Sequence, residues 1–300
     1  MPTPFTLAIL PDTQICTESF PHIFTAQTQW IAQNRDEHNI AFTLHEGDIT
    51  NKNDDHQWRV AADCMSVLDG KVPYALVLGN HDMGTGGTCD VRDSPLFNEY
   101  FPVSRYESLP TFGGMFEPDK MENTYHRFEA AGTGWLIVAL EFQPRDRVLQ
   151  WANDIIASHP DRHVLMLTHS HVCNDATLYG SSPDHNSKPG GFGIGYDPEG
   201  ANDGQETWVK TLRRHENVRF VFNGHFLGSA RTVGTGNEGN AVHQMLSNYQ
   251  DMEEGGGGYL RLVKCDPSSR SVSIKTYSPY LDSYLTDPSN EFTLENFDFG

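Results

Sequence analysis

The sequence predicts an α/β fold in which helices cover a parallel or mixed sheet, and three observations carry that prediction. Short apolar runs of strand length alternate with segments whose apolar residues recur at helical spacing. The polar residues that stand out fall directly after the apolar runs, where an open α/β sheet binds its ligands. After Gly224 the alternation gives way to strands alone.

Strands are expected over Phe5–Leu10, 41–45, 74–78, 135–141, 163–168 and 218–222. Between them lie four helical faces. Ile23, Ala26, Trp30 and Ile31 form the first. Trp58, Ala61, Ala62 and Met65 form the second, with Asn53 or Asp54 as N-cap and Gly70 just past its end. Val148, Leu149, Ala152, Ile155 and Ile156 form the third, and Trp208, Val209 and Leu212 the fourth. The late strands, over 242–247, 259–265 and 272–277, should complete a second sheet or its edge. Gly255–Gly258 reads as a turn before a strand, because a phosphate-cradling loop would open a helix.

The chain of 300 residues is read as one domain over 1–300, with a tail over 278–300. The stretches 84–124 and 172–206 are too long and aperiodic for plain connections, and are expected to act as active-site loops. With 21 Lys+Arg against 40 Asp+Glu the net charge is −19. That field repels polyanions, so no nucleic-acid surface and no anionic membrane contact are expected. The five cysteines are scattered without a CxxC pair, which excludes a disulfide framework or cysteine zinc site. No apolar run approaches a membrane span. Strand one begins almost at Met1, so the expected location is cytoplasmic, or exported had a leader been removed ahead of Met1. Oligomeric state is left open.

The strand ends carry the chemistry. They read Pro11-Asp12-Thr13-Gln14, Glu46-Gly47-Asp48, Gly79-Asn80-His81-Asp82, Thr168-His169-Ser170-His171 and Asn223-Gly224-His225-Phe226. Carboxylates and imidazoles converging on one rim without cysteine suit Mn, Fe, Zn or Mg. A single Asp after a strand is commonly a turn residue or helix cap. Asn-His-Asp after an apolar strand has no packing purpose, and the ordered set is harder still to attribute to chance.

This order, with Gly-Asn-His-Asp as its most specific element, resembles the calcineurin-like metallophosphoesterase superfamily, in a bacterial branch with Asp-x-Gln and Gly-His-x-Leu motifs. The resemblance runs from Asp12 to His225. It implies a four-layer α/β/β/α sandwich of two mixed sheets flanked by helices. It implies divalent metal ions, two per chain, with Asp48 as the bridging ligand. Asn80, His169 and His225 would complete one site, and Asp12 would begin the other. His81 would donate a proton or hydrogen bond to the leaving group, with Asp82 orienting its ring. Two departures stand out. Gln14 replaces the usual histidine of Asp-x-His, and Leu227 replaces the last histidine of Gly-His-x-His. The Gln14 carbonyl can coordinate weakly, whereas Leu227 cannot. Unequal sites are therefore expected: Mn, Zn or Fe at the histidine-containing one, Mn or Mg at the oxygen-only one.

His171, two residues beyond a ligand, and His243, on a late strand, are candidates for a substitute ligand or a substrate contact. His45 is expected to be packed and hydrogen-bonded. His22, His38, His56, His126, His159, His163, His185 and His215 are expected at the surface, and Trp30 and Trp58 in the core. Asn174, Asp175 and Tyr179 are placed near the substrate pocket.

The function expected is metal-dependent hydrolysis of phosphoric esters by metal-activated hydroxide, with His81 as general acid, on a small-molecule or oligomeric phosphoester. The long loops contain no arginine cluster to clamp a phosphate dianion, which tilts the expectation mildly toward phosphodiesters. Two alternatives stay open: the same scaffold acting on a non-phosphate substrate such as a carbohydrate or ester, and a non-catalytic binding module.

Overall fold

Strand β1 (Phe5–Leu10) is buried along its whole length, because both of its faces meet a core. Leu7 and Ile9 point toward Phe42, Leu44, Phe220 and Phe222, while Ala8 and Leu10 point toward Ile23, Phe24, Trp58 and Met65. An all-apolar run of this length is what a doubly covered strand requires. A computed structural model describes residues 3–182 and 193–299 of the chain.

The remaining strands follow in order: β2 (Ile40–His45), β3 (Tyr74–Leu76), β4 (Phe112–Met115), β5 (Thr124–Ala130), β6 (Thr133–Ala139), β7 (Arg162–Leu167) and β8 (Val218–Asn223). Then come β9 (Gly228–Thr235), β10 (Ala241–Asn248), β11 (Leu260–Asp266), β12 (Ser271–Ser278), β13 (Ser283–Leu285) and β14 (Phe292–Glu295). One sheet runs β13-β12-β11-β1-β2-β3, with β14 also on β12; the other runs β4-β5-β6-β7-β8-β10-β9. Both are mixed. β1, β2 and β3 are parallel, as are β6, β7, β8 and β10, so their C-terminal ends share one rim.

The layers are those of an α/β/β/α sandwich. Helices Pro21–Gln33 and Asp55–Ser66 cover the first sheet through Ile23, Ile31, Trp58 and Ala61. Helix Asp146–Ala157 covers the second through Val148, Leu149, Ala152 and Ile156. Each of the isoleucine, valine and leucine side chains contributes roughly 1.5–3 kcal/mol by leaving water. Asp54, not Asn53, caps the second helix by accepting from Gln57 N at 2.8 Å. Among the described residues no helix is long and apolar enough to cross a membrane.

Several expectations need correction. The late strands do not form one sheet: β10 extends the second, while β11 and β12 join the first beside β1. The stretch 84–124 holds helix Pro95–Tyr100 and β4, and the tail 278–300 holds β13 and β14. Strand β5 is absent from the expected set because its buried positions hold Thr124 and His126 beside Phe128, which hides the apolar alternation, and its turn to β6 uses Ala131-Gly132 rather than an Asn-Gly pair. Both turn residues take left-handed φ, 54° and 81°, as a tight hairpin demands. His126 and His163 are buried rather than exposed, and His185 lies outside the described residues. Gly255–Gly258 is a turn of left-handed residues, as expected, packed on Ile15, Tyr249, Leu281 and Ile23.

Candidate metal centre

The rim brings together side chains from both sheets. Asp48, His169 and His225 each offer a ligand atom, and these atoms all lie within 4.8 Å of one another. Asp48 follows β2 and takes a left-handed φ of 46°, which turns its carboxylate toward the second sheet. Its Oδ2 is 3.3 Å from His169 Nε2, and its Oδ1 accepts from His81 N at 2.9 Å. His169 Nδ1 donates to the Glu46 carbonyl at 2.8 Å, a bond that leaves Nε2 as the nitrogen that could ligate a metal. His225 Nδ1 lies 3.3 Å from His169 Nε2. Nitrogens this close can share a proton or face one cation.

Asn80 is buried, and its Oδ1 has no hydrogen-bond partner. Gln14, at the start of helix Gln14–Ser19, is in the same condition: its Oε1 is buried and unpaired, while its Nε2 donates to Gln250 Oε1. Unpaired buried carbonyls are costly, and a cation is the partner that would satisfy them. Asp12 accepts from His225 N at 3.2 Å and from Asn248 Nδ2 at 2.8 Å. The glycines of the motifs are needed for close approach: a Cβ on Gly79 would overlap Asp48 Oδ1, and one on Gly224 would overlap Asp12 Oδ1.

Electrostatics point the same way. Asp12, Glu46 and Asp48 are three carboxylates buried together. Burial pushes Asp12 well above its usual range, with Asp48 and Glu46 adding to the shift against His169. Burial likewise lifts Glu46 to about 8, against Ser247 and Arg261. Burial pulls His169 down, but the Asp48 and Asp12 carboxylates overcome it and hold the ring up at about 10. Burial and His169 push His225 to about 3, so it is a neutral imidazole suited to a metal. Without a cation, burial thus favours the protonated forms of Asp12 and Glu46, and divalent cations are the partners that would hold such buried carboxylates ionised.

His81 lies beside this cluster, but not as expected. Its Nδ1 donates to the Asn51 carbonyl at 3.0 Å, so a backbone group and not Asp82 orients the ring. Asp82 instead accepts from Gly79 N, Ile49 N, Thr50 N and Thr50 Oγ1 at 2.8–3.0 Å, tying the Asp48 and Asn80 loops together. Asp82→Ala would strand three buried amides, each costing about 1–3 kcal/mol. The expected result is a loss of roughly 3 kcal/mol or more in denaturant unfolding, with Asp82→Asn intermediate. A variant of native stability that loses only turnover would restore the ring-orienting role.

Neither substitute histidine joins the centre. His171 Nε2 is 2.6 Å from Gln244 Oε1, on the outer face of the second sheet that Val242 shares. His243 pairs with Phe220, five residues before His225, and packs on Phe220 and Phe297. At about 3.3 Å per residue it stands well below the rim. His45 is packed as expected, with Nε2 on Thr13 Oγ1 at 3.0 Å and Nδ1 accepting from Gly47 N. Of the loop residues, Tyr179 is the one near the centre, its ring 6.4 Å from that of His225. Asn174 binds the Leu227 carbonyl, and Asp175 caps Thr177.

Asn248, Gln250 and the Asn51 carbonyl escaped the sequence reading, which gave Glu46 no role. Amides at the end of a strand read as turn residues, and a backbone carbonyl leaves no mark in a sequence.

Comparison with known proteins agrees with the geometry. The uncharacterized protein YvnB of Bacillus subtilis (strain 168) is 30% identical over 306 residues, which cover 97% of this chain. The chain spans only 21% of that relative's length. A purple acid phosphatase from yellow lupin seeds superposes with a TM-score of 0.57 at 15% identity, over 98% of this chain and 54% of that one. A dimetal phosphatase from Danio rerio does so with 0.56 at 13% identity, over 98% of this chain and 100% of that one. At such identities these two show a shared fold. The family model described as calcineurin-like phosphoesterase matches residues 5–228, from β1 through the last metal-rim histidine, and the chain belongs to that family.

Proposed function

We propose that this chain hydrolyses phosphoric esters with two divalent cations of unequal affinity. The observation that carries the reading is the convergence of Asp48, His169 and His225, with the unpaired Asn80 carbonyl beside them. Bound divalent cations supply Lewis acidity to the phosphoryl oxygens and lower the pKa of water. The chain's own residues do the rest. Asp48 is held between His81 N and His169, and Glu46 and Phe142 fix the two imidazoles. His81, with Nδ1 on Asn51, presents Nε2 to protonate the departing oxygen.

The diester preference rests on two features. Arg92 is wrapped by Asp197 and the carbonyls of Phe142, Gln143 and Gly200, and Arg145 by Glu141, Glu117 and Glu199. Neither is available to clamp a dianion. The wall beside His225 is instead aromatic and apolar, built of Phe226, Tyr179 and exposed Leu227. The expected result is a higher kcat/KM for bis(p-nitrophenyl) phosphate than for p-nitrophenyl phosphate in Mn-loaded protein. The reverse order would overturn the preference, and no hydrolysis of either would overturn the hydrolase reading.

One site offers two imidazoles, Asn80 and Asp48; the other offers Asp12, Asp48 and the Gln14 carbonyl. Harder Mn or Mg suits the second set, and Zn, Fe or Mn the first. Dialysis against a chelator should remove one cation first and lower activity, and added Mn should restore it. Simultaneous loss of both cations, followed by elemental analysis, would refute the inequality.

A further inference from the structure

We propose that Gln250 is a positioning residue for the weaker metal site, acting by turning the Gln14 amide so that its carbonyl faces the cation. The inference rests on the two-cation reading above. A primary amide has two ends of nearly equal size, one an acceptor and the other a double donor. Only the carbonyl end can bind a cation, so a glutamine ligand works well only if something else holds its NH2. Gln250 Oε1 is that group: it accepts from Gln14 Nε2. The opposite end, Gln14 Oε1, is then buried and without a hydrogen-bond partner.

Gln250 is itself held in place. Its N donates to Asn248 Oδ1 at 3.0 Å, and Asn248 Nδ2 donates to Asp12 Oδ2 at 2.8 Å and to the His225 carbonyl at 3.2 Å. Asn248 and Gln250, at the end of β10, therefore serve Asp12 and Gln14 in turn. This segment lies beyond residue 228, where the family match ends. A histidine ligand is fixed through its second ring nitrogen, as Glu46 O fixes His169. Gln250 does the corresponding work for an amide ligand, and Gln14 and Gln250 form a unit in place of a single histidine.

The test is a Mn(II) titration of chelator-stripped protein, read by the electron paramagnetic resonance signal of free Mn(II). Gln250→Met keeps the length of the side chain and removes the acceptor; Gln250→Glu keeps the acceptor. In the wild type, a tight and a weak class of site are expected. Gln250→Met should weaken the weak class about 10–100-fold, the usual scale for a lost orienting bond, and leave the tight class unchanged. Gln250→Glu should bind at least as well as wild type. The unfolding midpoint of the stripped Gln250→Met protein should match wild type, which separates positioning from folding. Two unaltered classes in Gln250→Met, or failure of Gln250→Glu to bind where wild type does, would overturn the role of Gln250 alone. A single class in the wild type would overturn the two-cation reading itself.

Discussion

Asp48→Asn is expected to lose both cations and nearly all turnover while keeping its fold. The substitution is chosen for its backbone. Asp48 sits at φ 46°, a region that Asn tolerates and that most side chains do not. Asn also keeps an oxygen to accept from His81 N, so the local hydrogen bond survives. What disappears is the charge facing His169 and His225. Lewis-acid stabilisation is worth several kcal/mol, and each 1.36 kcal/mol is tenfold in rate, so the loss should reach about 10³-fold or more. Circular dichroism should be unchanged, and elemental analysis should show less than one ion per chain. Full metal content in that variant would sink the assignment of Asp48 as the shared ligand.

His81→Ala separates chemistry from metal binding. No imidazole nitrogen of His81 belongs to the Asp48–His169–His225 cluster, so metal content should stay near wild type. Turnover should fall roughly 10²–10⁴-fold, the range for a lost general acid. The loss should be large for alkyl esters, whose alkoxides need the proton, and small for p-nitrophenyl esters, whose phenolate leaves without it. Equal losses for both would show that His81 positions substrate and does not protonate it. Breaking its other bond is harder, because Asn51 holds the ring through a main-chain carbonyl that no side-chain replacement removes.

What the sequence revealed follows from how it encodes position. Asp12, Asp48, Asn80, His169 and His225 each sit directly after a buried parallel strand, and parallel strands fix where their ends arrive. Strand periodicity therefore marks the rim on which these residues stand, while their roles as candidate ligands come from the motif resemblance. It failed where identity was decided by facing. His171 and His243 have suitable chemistry but point to the outer face and to the lower core. Asp82 was misjudged because sequence proximity to His81 suggested a contact, while the turn over Asn80–Asp82 sends its carboxylate back to Ile49 and Thr50. Asn248 and Gln250 reach the site from the end of β10, where amides read as turn residues and no motif marks them.

The candidate ligands come from two different sheets: Asp12, Asp48 and Asn80 leave β1, β2 and β3, while His169 and His225 leave β7 and β8. The sandwich is thus bound like a book, with Phe5, Phe128 and Trp135 as the spine at the far ends of the strands, and bound cations would act as a clasp at the opening. A clasp can be undone where a spine cannot. An ion at a hundred times its Kd adds about 2.7 kcal/mol to the closed form. Stripping the metal should therefore speed amide exchange in the loops after β1, β2, β7 and β8, while the spine keeps its protection. On the two-cation reading, the shape of the substrate cleft would then depend on whether the metals are bound.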